Sequence, residues 1–248
     1  MDIATHLHTL RIDGELLALA AERTGLDAHV PTCPDWLMRD LVGHLGGVHR
    51  WATFILESGR AERPGREDAA ALFVTPGDGE LLDWYRSGHE ALLKAIAGGS
   101  PQATTWTFFD APSPLAFWAR RQAHETAVHR VDAERVAGTM SPIAADFAAD
   151  GIDELLVGFL SRTRGTLVSD PPISIAITPD DDAAAWTMHV SADARRVVPQ
   201  AHPADVTVSG PAAELYLLLW NRVDTTHCHI QGNPEILGLW RDLARATL

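Results

Sequence analysis

The 248-residue chain is predicted to form two domains, an all-α four-helix bundle at residues 1–140 and a small α+β domain at residues 141–248. Three observations predict this fold class. Four segments of the first part carry apolar residues at three- and four-residue steps, the period of an amphipathic helix. The sequence GTMSP (138–142) then interrupts this period. Beyond it, short runs of alternating or β-branched residues indicate strands mixed with helices.

The composition favours a globular protein of the reducing cytoplasm. Hydrophobic residues make up 46% of the chain, and the longest apolar runs fall well short of the roughly 18 residues that a membrane span needs. The first ten residues, MDIATHLHTL, lack the basic-then-apolar layout of a signal peptide. Cys33 and Cys228 are too few and too distant for a disulfide framework. A net charge of −13 argues against nucleic acid as a partner, because nucleic-acid binders usually carry a basic surface, and otherwise favours solubility.

The first and third helices are predicted at residues 3–24 and 80–97 from their apolar periodicity. His6 and His8 lie near the start of the first helix and are expected on the surface. His89 falls on the apolar face of the third helix. We expect it to be a core histidine that hydrogen-bonds to a neighbour, with a place next to a site or a substrate as the alternative.

The second helix is predicted to begin at residue 35 or 36, after the breaker VPTCPD, and to end near residue 57. It carries one apolar stripe with His44 at its centre, whereas His49 lies roughly 140° away and is expected to be solvated. The apolar stripe of this helix consists of Leu37, Leu41, His44, Val48, Trp51 and Ile55.

Residues 58–79, rich in Gly, Pro and charge, are predicted to form a long loop.

The fourth helix, predicted at residues 113–136, contains the uninterrupted sequence ARRQAHETAVHRVDAE, which is rich in strong helix formers. A four-residue step leaves Glu125 and His129 about 40° apart on one face. Trp118, Asp132 and Val136 fall on the same face. Burying a carboxylate and an imidazole without partners costs free energy, and a bound cation would remove that cost.

His44, Glu125 and His129 together offer two imidazoles and one carboxylate from two helices. Such a three-ligand set suits zinc and leaves one coordination position open, and Fe, Mn, Co or Ni would also fit. Asp132 either orients a ligand through a hydrogen bond or lies on a solvated helix edge. The HExxH motif of metalloproteases, if it started at His124, would need a second histidine at position 128. That position is Val128, so HETAVH does not match the motif.

The second domain is predicted to contain three helices and three strands. The helices lie at residues 143–163, 210–222 and 233–248, and the strands at residues 173–178, 185–190 and 204–209. Pro211 and Pro234 suit the first turns of the last two helices. His227 and His229 would share one face of an extended segment. We expect them at an exposed edge or turn, with a second metal site as the alternative.

The sequences WLMRDLVGHLGGVHRW (36–51) and RRQAHETAVHRVDAE (120–134) resemble the mycothiol-dependent maleylpyruvate isomerase family. VTVSGPAAELYLLLWNR and IQGNPEILGLWRDL, within residues 206–243, are similar to the family's C-terminal domain. The resemblance implies a DinB-like four-helix bundle followed by a domain related to sterol-carrier folds. It also maps the family's metal ligands onto His44, Glu125 and His129, the three residues that helix geometry selects.

The resemblance further implies a divalent metal ion, zinc in the first place, and mycothiol as a thiol cosubstrate. The enzyme would be an isomerase or a thiol S-transferase acting on a small electrophilic substrate, as a monomer or homodimer. Arg222 matches the family's arginine that would hold the substrate's carboxylates, and a surface arginine at a helix C-terminus is the alternative. Two other interpretations stay open. The protein could bind a ligand without catalysis and hold a structural metal, or it could be a metal-free bundle whose histidines only form hydrogen bonds.

Overall fold

The computed structural model describes residues 1–100, 102–161 and 166–244. The chain divides into two compact units, Met1–Ser141 and Pro142–Leu248. The first unit is helical, and the second combines helices with a mixed five-stranded sheet. The predicted order, a helical part followed by an α+β part, is therefore confirmed. None of the helices in the described part of the chain is both long and apolar enough to span a membrane.

Four long helices and one short helix make up the described part of the first unit. They are α1 (Ile3–Thr24), α2 (Met38–Ser58), α3 (Arg66–Leu72), α4 (Asp78–Gly98) and α5 (Pro114–Val136). The helix α1 packs against α5 and α4, and α2 also packs against α4 and α5. The apolar stripes of the four long helices thus meet in one core, which places α2 beside α5.

The ends of these helices follow from their capping residues. Asp2 accepts a hydrogen bond from the backbone N–H of Thr5 at the start of α1, at 2.8 Å, and Ser113 does the same for Ala116 at the start of α5, at 3.1 Å. The predicted start of α2 at residue 35 or 36 was too early. The helix begins at Met38, because residues 30–36 form a turn closed by a bond from Val30 N–H to the Trp36 carbonyl at 3.0 Å.

The predicted loop at residues 58–79 was wrong in part, because it contains α3 (Arg66–Leu72). The sequence REDAAAL consists mostly of good helix formers. Glu67 and Asp68 lie in its first turn, where negative charge stabilises the exposed N–H groups of a helix.

Two predictions of exposed histidines were wrong. His49 is fully buried, and its Nε2 lies 3.0 Å from Thr126 Oγ1. The reason is that α4 and α5 flank α2 on two sides, so its buried surface is wider than the stripe that the sequence shows. His6 is also buried and packs edge-on against His124 of α5. His8 is exposed, as expected.

His89 is a core histidine, as expected. Its ring is buried, and Nε2 lies 3.0 Å from the Leu10 carbonyl oxygen of α1. A Cβ atom at Gly14 would lie 2.3 Å from that same nitrogen. Glycine at this position therefore lets α1 approach the imidazole ring of α4.

A buried ionic network joins the C-terminal half of α5 to α1. Arg130 lies 3.2 Å from an oxygen of Asp13 and donates to Glu134 at 2.7 Å. Glu134 also accepts a hydrogen bond from the hydroxyl of Ser141, at 2.5 Å. Burial, together with the nearby charge of Glu134, raises the pKa of Asp13 to about 6, although Arg130 opposes this shift.

In the second unit, the strands are β1 (Ile173–Pro179), β2 (Trp186–Val190), β3 (Arg195–Val198), β4 (Val206–Gly210) and β5 (His229–Gly232). Their order in the sheet is β3-β2-β1-β4-β5. The central pair β1 and β4 is parallel, and the other neighbours are antiparallel. The three predicted strands are confirmed. The edge strands β3 and β5 were missed, because each has four residues and too little alternation to show a period.

The helices of this unit are α6 (Ala145–Asp153), which continues as a π-helical segment (Glu154–Leu160), α7 (Ala212–Leu219) and α8 (Glu235–Leu243). The predicted helix at residues 210–222 is thus shorter than expected. Residues 162–163 and 245–248 of the other two predicted helices lie outside the described residues. His227 and His229 are exposed, and His229 begins the edge strand β5, as expected for an edge.

The raised pKa of Asp13 predicts a pH-dependent loss of stability. The folded protein keeps this carboxyl protonated up to pH about 6, whereas the unfolded chain releases the proton near pH 4. The contribution of Asp13 to the free energy of unfolding therefore falls as the pH rises from 4 to 6, by on the order of 2–3 kcal/mol.

We expect Asp13→Asn to abolish this fall, as measured by urea unfolding of both proteins at pH 4, 5, 6 and 7. The exposed Asp35→Asn serves as the control, which should keep the profile of the wild type. Parallel profiles for Asp13→Asn and the wild type would contradict the prediction.

Candidate metal centre

The three side chains selected by helix geometry come together in the first unit. His44 extends from α2, and Glu125 and His129 extend from neighbouring turns of α5. Glu125 Oε1 lies 3.3 Å from His44 Nε2 and 3.5 Å from His129 Nε2. One ligand atom from each residue lies within 4.8 Å of the other two. The cluster therefore brings two imidazole nitrogens and one carboxylate oxygen to a single point.

These distances match the donor set of a tetrahedral metal ion. Zinc–nitrogen and zinc–oxygen bonds of about 2.0–2.1 Å at tetrahedral angles separate neighbouring ligand atoms by about 3.3 Å. The two separations that involve Glu125 Oε1 are close to this value. Two imidazoles and a carboxylate also suit Fe, Mn, Co and Ni, so the donor set fits a divalent ion without selecting one.

Glu125 carries a partly buried negative charge that its neighbours stabilise. Arg121, one turn earlier on α5, donates to its second oxygen, Oε2, at 3.0 Å. Burial would raise the pKa of Glu125. Hydrogen bonds from His129 and His44 and the charge of Arg121 outweigh that effect and hold the pKa well below its usual range. Glu125 is therefore an ionised carboxylate with Oε1 directed at the two imidazoles.

His129 is oriented by the buried carboxylate of Asp132. Its Nδ1 lies 2.9 Å from Asp132 Oδ2, and Asp132 is fully buried. The other oxygen of Asp132 accepts a hydrogen bond from the Thr32 hydroxyl at 2.6 Å, and the Cys33 thiol lies 3.7 Å from Oδ2. The interpretation of Asp132 as a residue on a solvated helix edge was therefore wrong, because its side chain is fully buried.

The bond to Asp132 fixes the tautomer of His129. A proton on Nδ1 that is donated to Asp132 leaves the lone pair of Nε2 for another partner, as in metal sites with carboxylate-bound histidines. Burial lowers the pKa of His129, but Asp132 and Glu125 outweigh burial and raise it to about 9. A metal ion at Nε2 would thus replace a proton.

An aromatic ring covers the two imidazoles. The Trp36 ring centroid lies 4.9 Å from that of His44 and 5.9 Å from that of His129, on which it stacks. The turn at residues 30–36 supplies both this ring and Thr32. Sequence reasoning missed Arg121, Thr32 and Trp36. Arg121 could have been found, because it lies four residues before Glu125 on the same helix face, whereas the sequence around Thr32 gives no such signal.

Arg222 lies in the second unit, three residues after the last residue of α7 (Ala212–Leu219). Its backbone N–H donates to the Leu217 carbonyl and its Nη1 to the Trp220 carbonyl, both at 2.8 Å. The residue is half-buried. These bonds place its side chain at the C-terminal end of the helix, where carbonyl groups attract positive charge.

The thiol of Cys228 has the properties of a structural group rather than of a nucleophile. Burial, together with the charges of Glu214, Asp180 and Asp224, raises the pKa of its thiol to about 11. A thiol with such a pKa is almost entirely protonated at neutral pH and is a weak nucleophile.

We expect Arg121→Met to destabilise the fold by about 2 kcal/mol, because it removes the cation that binds Oε2 of the partly buried Glu125 carboxylate. The free energy of unfolding from urea titration at pH 7 measures this effect. The exposed Arg135→Met, near the end of the same helix, is the matched control and should change the stability by about 0.5 kcal/mol or less. Equal stabilities of the two variants would show that Arg121 does not stabilise the carboxylate.

Comparisons with known proteins agree with this architecture. Residues 9–134 match the family model described as the mycothiol maleylpyruvate isomerase N-terminal domain. Residues 146–236 match the model described as the MDMPI C-terminal domain. No curated protein matches the chain.

Two similar solved structures are crystal structures of the mycothiol-dependent maleylpyruvate isomerase and of a histidine-to-alanine mutant of it. Their TM-scores are 0.64 and 0.66, and each alignment covers 93% of both chains at 13% identity. At this identity the likeness shows a shared fold. Together with the two matching family models, it shows that the chain belongs to the mycothiol maleylpyruvate isomerase family.

Proposed function

We propose that the protein is a metal-dependent enzyme that uses mycothiol to isomerise a small electrophilic substrate, in the manner of a maleylpyruvate isomerase. The observation that carries the proposal is the convergence of His44, Glu125 and His129, whose ligand atoms lie within 4.8 Å of one another. The solved relatives are named as a mycothiol-dependent isomerase. The finer fold assignment, DinB-like for the first unit and sterol-carrier-like for the second, belongs to the same proposal and comes from the sequence resemblance.

His44 Nε2, Glu125 Oε1 and His129 Nε2 would hold the metal ion, zinc in the first place. A divalent ion with an open position supplies Lewis acidity that favours the thiolate form of a bound thiol at neutral pH. Arg121 binds Oε2 of Glu125, so Oε1, which faces the two imidazoles, is the oxygen that would bind the metal.

Asp132 and Thr32 hold the His129 ring in place from behind. Because Asp132 is fully buried and bound on both oxygens, it fixes the ring without itself reaching the reacting atoms. Trp36 lies over both imidazoles and excludes water from that side. The side chains of the centre are thus positioned before any ligand arrives, which lowers the reorganisation needed for reaction.

The reaction that fits a thiolate beside such a centre is reversible addition to a conjugated cis double bond. The sulfur forms a bond to one alkene carbon, and the electron pair moves into the conjugated carbonyl. Rotation about the resulting single bond and elimination of the thiolate then give the trans isomer, with no net change in atoms. Transfer of the same thiol to another electrophile, as in an S-transferase, would share the first step.

Arg222 is the residue that we propose to hold a carboxylate of the substrate, through the paired N–H groups of its guanidinium. Its assignment comes from the sequence resemblance, and its half-buried position after α7 leaves part of the side chain accessible.

One observation favours the alternative of a ligand-binding protein with a structural metal. The second unit contains a cavity of about 240 Å³ with a mostly apolar lining. Its walls include Ile175 and Val208 from the sheet, Leu215 from α7 and Trp240 from α8. A protein that only binds would show no thiol-dependent turnover, so the same assay separates the two functions.

The proposed activity is tested by following cis-to-trans isomerisation of maleylpyruvate with and without mycothiol, in wild type and Glu125→Gln. We expect turnover only with mycothiol, and at least a hundredfold loss in Glu125→Gln, because the amide cannot supply the negative ligand charge. Turnover without thiol, or unchanged turnover in the variant, would contradict the assignment.

Metal content tests the proposed ligands separately from activity. We expect purified wild type to contain about one divalent ion per chain, and His44→Ala to lose most of it, since two of the three ligands would remain. Elemental analysis of both proteins gives the answer. His8→Ala removes an exposed imidazole and should retain the metal. Equal metal content in all three proteins would exclude His44 as a ligand.

Arg222→Lys tests substrate binding. Lysine keeps the positive charge but loses the paired geometry of the guanidinium, so we expect about a tenfold rise in KM for a dicarboxylate substrate. KM for mycothiol should stay constant. The exposed Arg196→Lys on β3 is the matched control, and an equal KM in both variants would remove Arg222 from the site.

A further inference from the structure

The cavity of about 240 Å³ in the second unit lies between the sheet and the helices α7 and α8. Ile177, Val208 and Ile230 are paired neighbours on β1, β4 and β5, so their side chains share the face of the sheet that lines it. Leu215 of α7 and Leu237 of α8 form the opposite wall. We call this space the α8 cavity. Its residues all belong to the second unit.

The walls of the α8 cavity are suited to an apolar ligand and poorly suited to water. Most of the lining residues are isoleucine, leucine and valine. Trp240 adds an indole ring, and its only polar atom, Nε1, already donates to the Leu219 carbonyl at 3.1 Å. Protein interiors contain few voids larger than a water molecule, because lining atoms without neighbours lose dispersion contacts. An apolar group in the cavity would restore those contacts.

The volume of the α8 cavity limits the size of the ligand. An apolar cavity of about 150 Å³ in another protein stays dry and binds benzene. By the same proportion, a cavity of about 240 Å³ accommodates an apolar group of roughly nine carbon atoms. Long-chain lipids exceed this volume, so the fitting ligand is small.

The α8 cavity reaches solvent along α8 (Glu235–Leu243). Gly238 and Arg241 both line the cavity and are exposed. A Cβ atom at Gly238 would have no other atom within 4 Å, so close packing does not require a glycine there, and glycine is a weak helix former. The missing side chain leaves this part of the mouth open.

One cation lies at the mouth. Among the described residues that line the cavity, Arg241 is the one with a charge, and within the described part of the chain its guanidinium forms no ion pair or hydrogen bond. Its backbone carbonyl accepts a hydrogen bond from Asn221 Nδ2 at 3.5 Å, which connects α8 to the residues after α7. Hydrogen bonds from Thr226, followed by the charge of Arg241, lower the pKa of Asp224, but Asp224 does not line the cavity.

We propose that the α8 cavity binds a small monocarboxylic acid with an unbranched saturated chain of about eight carbon atoms. The chain lies between the sheet and the two helices, and the carboxylate meets the guanidinium of Arg241. A guanidinium matches a single carboxylate, whose two oxygens accept its paired N–H groups. This site goes beyond the proposed function, because it includes neither the metal ligands nor Arg222.

The length of the chain gives the first test. Calorimetric titration of the purified protein with butanoate, hexanoate, octanoate and dodecanoate measures the affinity for each acid. We expect a gain of about fourfold for each methylene group up to octanoate, the effect of burying one methylene. Dodecanoate should bind no more tightly than octanoate, because its chain is longer than the cavity. An affinity that is independent of chain length, or that still rises to dodecanoate, would overturn the proposal.

Arg241→Gln tests the recognition of the carboxylate. We expect octanoate to bind about tenfold more weakly, since a charge-assisted bond is lost. Octanol, which has a similar chain without the charge, should bind within about twofold of the wild type. Arg196→Gln is the matched control, because Arg196 is exposed on β3 and does not line the cavity. Equal affinity of Arg241→Gln and the control for octanoate would exclude the arginine from the site.

Ile230→Trp tests the location of the chain. Ile230 is half-buried on the edge strand β5, so a larger side chain fills part of the cavity with little strain elsewhere. We expect the preferred chain to shorten from octanoate to hexanoate or butanoate, a change that loss of stability alone does not produce. In Gln231→Trp, the same residue is placed on the exposed, opposite face of this strand. That control should keep the preference for octanoate, and an unchanged preference in Ile230→Trp would place the chain elsewhere.

Glu125→Gln separates this site from the proposed metal centre, which could also bind a carboxylate. We expect this variant to bind octanoate within about twofold of the wild type. A loss of octanoate binding here would assign the acid to the metal centre and overturn the cavity site. Failure of the wild type to bind any of the four acids would also overturn it, and would leave the proposed thiol-dependent function in place.

Discussion

The candidate metal centre depends on the partly buried negative charge of Glu125. An isolated carboxylate in this position would be neutralised or excluded, but an arginine and two histidines surround it. Three of the four groups lie on one face of α5 at four-residue steps, namely Arg121, Glu125 and His129. The charge is therefore stabilised largely by local helix geometry, and α2 needs to add only His44.

The same helix carries a second buried ionic network with a different role. At its C-terminal half, Arg130 lies between Asp13 and Glu134, and Glu134 also binds Ser141. The groups of that network are engaged with one another. In the cluster around Glu125, the nitrogens of two imidazoles face one oxygen, which is the arrangement that a cation can use. The candidate site therefore differs from the structural network in the groups that surround each carboxylate, more than in how deeply each carboxylate is buried.

Segments outside the long helices complete the candidate site. The turn at residues 30–36 brings Thr32 to Asp132 and places Trp36 over the imidazoles. The segment before α4 packs on the glycines of α2 and forms one wall of a pocket that His44 also lines. The helices therefore supply the groups that could bind a metal, while the connections orient and cover these groups.

The sequence by itself determined the four long helices, the order of the two units and the shared face of Glu125 and His129, because a helix fixes the relation of residues three or four apart. Tertiary structure alone decided which distant groups meet. It brought His44 to Glu125 across 81 residues and Thr32 to Asp132 across 100, and it buried His49 and His6. Burial depends on which helices flank a surface, and no local period records that.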